Sequence, residues 1–295
     1  MLVGLALLWG ASFMFIKIAD RQLAPATLIL GRLGLAALTL ALIVPFTLGW
    51  RDAIAATKEN WRWLVVVALV NTAVPFWLLA WGETRIASGL ASIIQGAVPI
   101  FNALLAFAFF REVRVTGMRL VGFGLGFVGV ALIVGGQPSG KVLGALAVVG
   151  MALCYAIGTL FMGRHLRGVS PIVIALTSTA IAALVDLPAG VAQAPHSWPG
   201  WRPVASVVVL GVPLLGFAYL LFFALITGPG AAYASLVAYL IPPIALAYGA
   251  IFLGEKFGTL AFGGLVLILG GVALGTGAVA LTSLRSRRSE AHEAA

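Results

Sequence analysis

The chain has 295 residues, of which 62% are hydrophobic and only 9% charged, with a net charge of +9 and a mean hydropathy of +1.11. A soluble domain usually has about a quarter of its residues charged, so this composition excludes one. Repeated apolar runs of about 20 residues predict an all-α integral membrane protein, because a helix satisfies its own backbone hydrogen bonds within a bilayer. The basic residues lie singly or in small clusters between the runs, which argues against nucleic-acid binding.

Charged residues and glycine or proline breaks delimit ten candidate transmembrane spans, numbered here in chain order. They run near residues 2–19, 26–48, 62–82, 87–110, 117–135, 143–163, 172–192, 204–226, 231–253 and 259–282. The connections are short, and the longest, around residues 51–60 and 193–202, are too small for a soluble domain. The first run is expected to be a retained helix rather than a signal peptide. The polar tail, residues 283–295, is predicted to be disordered.

The distribution of lysine and arginine predicts the orientation. Eleven of them lie on the side of the two termini and five on the other side. Because basic residues are enriched in cytoplasmic loops, both termini are predicted to be cytoplasmic, in a multi-pass protein of the inner or plasma membrane.

The two halves of the chain show an internal repeat at an offset of 143 residues. Four pairs are identical at this offset: Ala91/Ala234, Ser92/Ser235, Pro99/Pro242 and Glu112/Glu255. Each half has five spans, an odd number, so the second half is expected to enter the membrane from the opposite side. The predicted repeats cover residues 1–136 and 142–282, and two such inverted halves are a common transporter plan with substrate bound between them.

Span four has a polar face within an apolar run. Ser88, Ser92, Gln95, Pro99 and Asn102 are spaced three or four residues apart and therefore share one side of a helix. An unpaired amide in lipid costs about 1–3 kcal/mol, so this face is predicted to meet protein or a water-filled cavity. The proline is expected to open the helix near Gln95. Hydrogen bonding between helices is the alternative explanation of this face.

The other candidate binding residues lie in spans one, three and nine. Span nine repeats the polar pattern of span four, and aromatic side chains in spans one and three could form the wall of an apolar pocket. The predicted substrate-binding residues are Trp9, Phe13, Trp77, Ser92, Gln95, Pro99, Asn102, Ser235, Tyr239 and Pro242.

Ionisable groups inside spans are costly, so Lys17, Arg32 and Glu83 are candidates for function. Lys17 or Arg32 could meet a substrate carboxylate at the outer mouth or change its pairing as the protein opens. Alternatively, Lys17 extends to the membrane interface and Glu83 pairs with Arg85 or Arg32.

Asp186 in span seven is a candidate proton-coupling residue, if burial favours its protonated form. The alternative is that the helix breaks at Pro188 and leaves Asp186 in interfacial water. Glu112 and Glu255 are interpreted as structural caps at span ends.

Two sequence matches to nucleotide-binding motifs are interpreted as structural. GGQPSGK at residues 135–141 matches a phosphate-binding loop but is followed by valine instead of the required hydroxyl residue. GLGFVG at residues 124–129 lies in an apolar span, where small residues favour close helix packing. There is no constellation of metal ligands or catalytic residues, so neither an enzyme nor a cofactor or metal is predicted.

The opening WGASF with Lys17, the run GLASIIQGAVPIFNALLAFAFFREV and its later counterpart ASLVAYLIPPIALAYGAIFLGEKF resemble EamA-type members of the drug/metabolite transporter superfamily. The resemblance covers nearly the whole chain. It implies ten helices in two inverted five-helix repeats around a central cavity, and outward movement of small metabolites, often amino acids. One departure is that Gln95 and Asn102 correspond to Ala238 and Ala245, so the polar groups are unequally shared between the halves.

The leading hypothesis is a secondary transporter that exports a small metabolite, most concretely an amino acid, by alternating access. With no ATP-binding motif, a substrate or proton gradient would drive it, and a monomer would suffice. The alternative is a multidrug or quaternary-ammonium exporter in which Trp9, Trp77 and Tyr239 form an aromatic cation site. From another class, a membrane-embedded enzyme predicts clustered His, Asp or Glu, and a non-transporting helper subunit predicts a filled centre.

Overall fold

The computed structural model describes residues 1–110 and 117–275, and all regular elements in this part are helical. Within these residues, nine helical segments are long and apolar enough to cross a membrane, and Thr259–Gly275 is a shorter apolar helix. The prediction of an all-α membrane fold with ten spans is therefore confirmed. The cap at Glu112 and the tail from Ser283 lie outside the described residues.

The bounds of the elements follow. The α-helices are Leu2–Ala19, Pro25–Thr47, Trp50–Ala68, Val74–Glu83, Ser88–Gln95, Val98–Phe110, Gly117–Gly135, Val142–His165, Pro171–Ala192, Trp201–Gly211, Ala218–Thr227, Ala231–Ser235, Val237–Leu253 and Thr259–Gly275. Two π-helical turns, Leu69–Ala73 and Val212–Phe217, interrupt spans three and eight, and a 3₁₀ turn, Ser139–Lys141, precedes span six.

Span three is longer than predicted, because its helix begins at Trp50 and already includes residues 51–60. The sequence analysis was wrong to place these residues in a connection. The segment is polar, but three of its ten residues are alanine, and its arginine, lysine and glutamate also have high helix propensity. Asp52 lies in the first turn, where a negative charge stabilises the helix.

Four spans are interrupted, spans three and eight by the π-helical turns and spans four and nine by a break between two helices. Span four ends one helix at Gln95 and begins the next at Val98, as expected for the proline at position 99, which lacks a backbone donor. Span nine is likewise divided after Ser235. The two π-helical turns begin 143 residues apart, at the offset of the internal repeat. By contrast, the helix of span seven continues through Pro188 to Ala192, so the predicted break there is wrong.

The packing of the spans repeats when the two halves are exchanged. Span two packs on span seven, and span five packs on span ten. The contact of span one with span nine has a counterpart in that of span six with span four. Likewise, the contact between spans three and six corresponds to the contact between spans eight and one. This arrangement is the one that two inverted repeats around a pseudo-two-fold axis produce.

Glycine allows the helices of spans five and ten to approach closely. A Cβ atom at Gly271 would lie 2.6 Å from the carbonyl oxygen of Gly122 and 2.6 Å from the amide nitrogen of Gly126. Such contacts between backbones are typical of small residues in membrane helices. The glycine pattern of residues 124–129 is therefore a packing feature. The other misleading match, at residues 135–141, includes the short turn before span six.

Candidate substrate cavity

A cavity of about 570 Å³ lies at the centre of the protein, between spans of both halves. Spans one to four and six to nine contribute to its wall. Seven of the predicted binding residues line it: Trp9, Phe13, Ser92, Gln95, Pro99, Ser235 and Pro242. The wall is mostly apolar with a few polar groups, and the volume is within the range of small-molecule sites.

The cavity extends towards one face of the membrane. We call the face at which Leu2–Ala19 begins the N-terminal face, and the other the opposite face. Spans six to nine contribute residues near their ends at the N-terminal face, including Met162, Pro171 and Phe223. Spans one to four contribute residues from nearer the middle of the membrane. The cavity is thus reached from the N-terminal face.

Glu255 helps to close the opposite face. Its carboxylate, just after span nine, accepts hydrogen bonds from the backbone N–H of Ser88 at 2.8 Å and of Gly89 at 3.2 Å. The Ser88 hydroxyl donates a third hydrogen bond, at 3.0 Å. A carboxylate at a helix N-terminus satisfies free backbone donors and interacts favourably with the helix dipole. Glu255 is therefore a structural cap, but it caps span four rather than its own helix.

Lys17 closes the same face from span one. Its ammonium group donates hydrogen bonds to the backbone carbonyl oxygens of Glu83 and of Ile86, the latter at 3.0 Å. Lys17 is not among the residues that line the cavity. In this conformation the Lys17 side chain therefore neither extends to the membrane interface nor faces a substrate, so neither hypothesis for it describes what it does here. It ties span one to the end of span three.

Glu83 lies fully buried at the end of span three, and neither of its carboxyl oxygens has a hydrogen-bond partner. The alternative that Glu83 pairs with Arg85 or Arg32 is therefore wrong in this conformation. The Arg85 guanidinium instead donates to the Trp81 carbonyl oxygen and the Thr84 hydroxyl. It also stacks over the Trp81 ring, 3.5 Å from the centroid.

Asp20 lies just beyond the end of span one, near Glu83. One of its carboxyl oxygens is buried without a hydrogen-bond partner. Burial raises the pKa of Asp20 to about 6, although the positive charges of Lys17 and Arg21 act in the other direction. The closed opposite face therefore holds three acids, Asp20, Glu83 and Glu255, whose charges act on one another.

Arg32 is the charged residue in the wall of the cavity. Its side chain is only 4% exposed, and its Nε and Nη1 donors have no hydrogen-bond partner. The guanidinium lies 4.4 Å from the centroid of the Phe76 ring. Tyr155 and Tyr219, which also line the cavity, lie close to this guanidinium. A buried guanidinium with free donors is suited to bind a carboxylate.

The π-helical turn of span three brings Asn71 and Thr72 to the cavity. The sequence analysis missed both residues, together with Tyr155 and Tyr219. One signal was available, because Asn71 is an amide in an apolar run, four residues before Pro75. Turns of this kind occur often at functional sites, because the extra residue changes which side chains face inwards.

Three of the ten predicted binding residues, Trp77, Asn102 and Tyr239, do not line the cavity, and neither does the coupling candidate Asp186. Trp77 is 39% exposed and stacks on Trp81, with 6.2 Å between the ring centroids. Asn102 lies beyond the interruption of span four, which shifts its direction relative to Gln95, and its Oδ1 is buried without a partner. Tyr239 packs against the hydrophobic core. Asp186 is half-buried in span seven.

The described residues contain no group of three or more His, Cys, Asp or Glu side chains that could hold a metal ion. None of the described residues in the wall of the cavity carries a carboxylate either. Its polar groups are hydroxyls, amides and one guanidinium. This set can bind and orient a small polar molecule but has no nucleophile with an adjacent base.

Comparison with known proteins gives one consistent result. The EamA-like transporter family profile matches twice, at residues 1–135 and 142–276. An uncharacterized transporter of Archaeoglobus fulgidus is 30% identical over 88% of this chain and 92% of its own length. A probable terminal-alkyne amino-acid exporter of Streptantibioticus cattleyicolor is also 30% identical, over 90% of this chain and 89% of its own length.

A solved crystal structure shares the fold, with a TM-score of 0.65 and 17% identity over 93% of this chain and 95% of that one. The family profile accounts for nearly all of the described spans, and the fold and the cavity agree with it. The chain is a multi-pass transmembrane transporter of the EamA-like transporter family, in the drug/metabolite transporter superfamily.

Proposed function

We propose that this transporter exports amino acids across the inner or plasma membrane by alternating access around the central cavity. In this proposal both termini are cytoplasmic. Because the cavity is reached from the N-terminal face, the conformation described here is open to the cytoplasm, and the closed opposite face is the outer one. The repeats, residues 1–136 and 142–282, would exchange roles when the cavity opens to the other side.

Arg32 is the observation that carries the proposal. Buried polar groups are normally hydrogen-bonded, and a buried cation without a partner is especially unfavourable. The two unpartnered donors of Arg32 therefore require a ligand that is absent between transport events. An α-carboxylate provides it, because two carboxylate oxygens can accept two parallel hydrogen bonds from one guanidinium.

The remainder of the cavity suits the rest of an amino acid. Ser92 and Gln95 from span four and Ser235 from span nine are proposed to bind the amino group. Trp9 and Phe13 would contact an apolar side chain. The proposed substrate is therefore a neutral amino acid with an apolar side chain.

The drug or quaternary-ammonium alternative is less well supported. A cationic substrate favours an accessible acid or an aromatic cage. No cavity-lining residue in the described part of the chain is acidic, and Arg32 would repel a cation. Neither Glu83 nor Asp186 lines the cavity. The relative named as a probable amino-acid exporter agrees with the carboxylate proposal.

The two alternatives from other classes are also less well supported. A membrane-embedded enzyme would need a cluster of catalytic groups in the cavity, and the described residues that line it include no His, Cys, Asp or Glu. A helper subunit without transport would have a filled centre, whereas this protein has a cavity of about 570 Å³.

Transport by the purified protein in liposomes tests the proposal. The probes are radiolabelled L-leucine, L-phenylalanine, L-lysine and the cationic dye ethidium. We expect saturable movement of the two apolar amino acids, slower movement of lysine and none of the dye. Movement of ethidium without movement of any amino acid would contradict the proposal and favour the drug-exporter alternative.

A further inference from the structure

The carboxyl group of Glu83 is the most completely enclosed acid in the described part of the chain. Its side chain has no exposed surface, and both of its oxygens lack a hydrogen-bond partner. It lies one helical turn beyond Leu79, which lines the cavity, and so is located between the cavity and the closed opposite face. An ionised carboxylate would be very unfavourable in this position without a partner, whereas a protonated one would not be.

In the conformation described here, no neighbouring cation is hydrogen-bonded to this acid. Span one contributes Lys17 and Asp20, span two Arg32, and the segment after span nine Glu255. The ammonium group of Lys17 donates to backbone carbonyl oxygens rather than to the Glu83 carboxylate.

The other nearby groups do not supply a partner either. The Glu255 carboxylate is held by the N-terminus of span four and adds negative charge. Asp20 has a buried oxygen without a partner of its own. Span six contributes Tyr155, which is close to Arg32 and is not a cation. Glu83 is thus in a site with more acids than free cations.

Arg32 connects this acid to the cavity. The Arg32 guanidinium has donors without partners, and the Glu83 carboxyl group has acceptor oxygens without partners. The two groups are also close enough for the charge of Glu83 to act on Arg32. When the Arg32 guanidinium pairs with ionised Glu83, it has fewer donors left for a substrate carboxylate. The two carboxylates are therefore expected to compete.

We infer that Glu83 is a proton-binding site, and that a proton on Glu83 and a carboxylate on Arg32 bind together and move together. The inference rests on the proposed function only for the identity of the carboxylate. In the conformation described here, Glu83 carries the proton. When the opposite face opens, water reaches Glu83, which releases its proton to that side. The resulting carboxylate pairs with Arg32 and displaces the substrate to the same side.

The proton on Glu83 can be tested without a substrate by labelling with dicyclohexylcarbodiimide, an apolar reagent that adds to protonated carboxyl groups. Mass spectrometry of the purified full-length protein would locate the adduct. We expect an adduct on Glu83 whose yield falls about tenfold per pH unit once the group ionises. The exposed acid Glu59 should not be labelled. Absence of an adduct on Glu83 between pH 5 and 9 would overturn the inference, and this arm needs no variant to fold.

The coupling is tested in liposomes loaded with L-leucine, with a pH-sensitive dye outside. We expect acidification of the medium during efflux, and no acidification with Glu83→Gln, measured as protons per labelled leucine released. Glu59→Gln should keep the wild-type ratio. Leucine efflux without protons would overturn the inference and leave the proposed function intact. A labelled Glu83 without efflux of any amino acid would contradict the proposed function and leave the proton site intact.

Discussion

Two sets of polar groups, one at the closed face and one around the cavity, differ in how they are satisfied, and the unpartnered acids Asp20 and Glu83 belong to neither set. At the opposite face, Glu255 and Lys17 make specific hydrogen bonds to the backbone of neighbouring spans. Around the cavity, Ser12, Arg32 and Ser178 have buried polar atoms without partners. Since unsatisfied buried groups are costly, the first set is suited to hold a closed conformation and the second to bind a ligand.

This difference shows why sequence alone cannot assign roles to charged residues in a membrane protein. Lys17 and Arg32 are both cations within spans, and either could have met a substrate. The structure separates them, because one donates to carbonyl oxygens at the closed face and the other has free donors in the cavity. Substitution of Arg32 should therefore act on the cavity alone, and substitution of Glu255 on the closed face alone.

Substitution of Arg32 should have the largest effect on transport. Loss of hydrogen bonds to a charged group costs about 1.5–3 kcal/mol. For Arg32→Gln we therefore expect the KM for L-leucine in liposomes to rise roughly 10- to 100-fold. Arg32→Lys should be intermediate, since it keeps the charge but loses the planar fork. The exposed Arg62→Gln is the matched control, and an unchanged KM in Arg32→Gln would rule out this role.

Gly271→Ala should have the largest effect on the stability of the fold, because spans five and ten pack closely at this residue. The added methyl group would overlap the backbone of Gly122 and Gly126, which cannot move without separating the helices. Overpacking of this kind typically costs about 1–3 kcal/mol. We expect a lower melting temperature in detergent. Gly270→Ala is the matched control because its added methyl group would meet no atom within 4 Å. Equal melting temperatures for the two variants would contradict the packing described here.

Weakening the cap on span four should open the opposite face. A favourable carboxylate at a helix N-terminus contributes up to about 2 kcal/mol. In Glu255→Ala we therefore expect a shift of up to roughly 30-fold towards the conformation open at that face. The measurement is the rate at which an impermeant maleimide labels Leu23→Cys, a position 7% exposed here, after the single native cysteine, Cys154, is replaced by serine.

Glu59→Ala is the control for this experiment, because Glu59 is exposed in the N-terminal part of span three. Equal labelling rates in the two variants would show that Glu255 does not hold the closed face.

The smallest expected effect is the pH dependence of closure through Asp20. Because burial raises its pKa from 3.8 to about 6, the closed conformation binds this proton more tightly than an open, hydrated one. Closure is therefore favoured below about pH 4 and loses this contribution as the pH rises through 6. We expect labelling of Leu23→Cys to increase over that range, and to increase less in Asp20→Asn. An identical pH profile in Asp20→Asn would exclude Asp20 as the origin.

Much of the fold could be predicted from the sequence because hydrophobic length and turn residues decide it locally. The interruption of span four follows from Pro99, which lacks one backbone donor. The glycine packing of spans five and ten likewise follows from residue size. The start of span three at Trp50 was missed because a polar helix at the membrane edge lacks the apolar pattern on which the span boundaries rest.

The cavity was less predictable, because it depends on which side of each helix faces inwards. Seven of the ten predicted binding residues line it, but Trp77 faces outwards and Asn102 lies beyond the interruption of its helix. The π-helical turn that brings Asn71 inwards has no strong sequence pattern. Pairing among charged groups was also unpredictable, since the partners of Glu255 lie 167 positions away in the chain.

An experimental structure of the protein with L-leucine tests the central claim most directly. The account predicts the amino acid in the central cavity, with its carboxylate within hydrogen-bonding distance, about 3 Å, of the Arg32 guanidinium. Its side chain should lie near Trp9 and Phe13. A ligand bound elsewhere, or one in the cavity whose carboxylate is turned away from Arg32, would contradict the account.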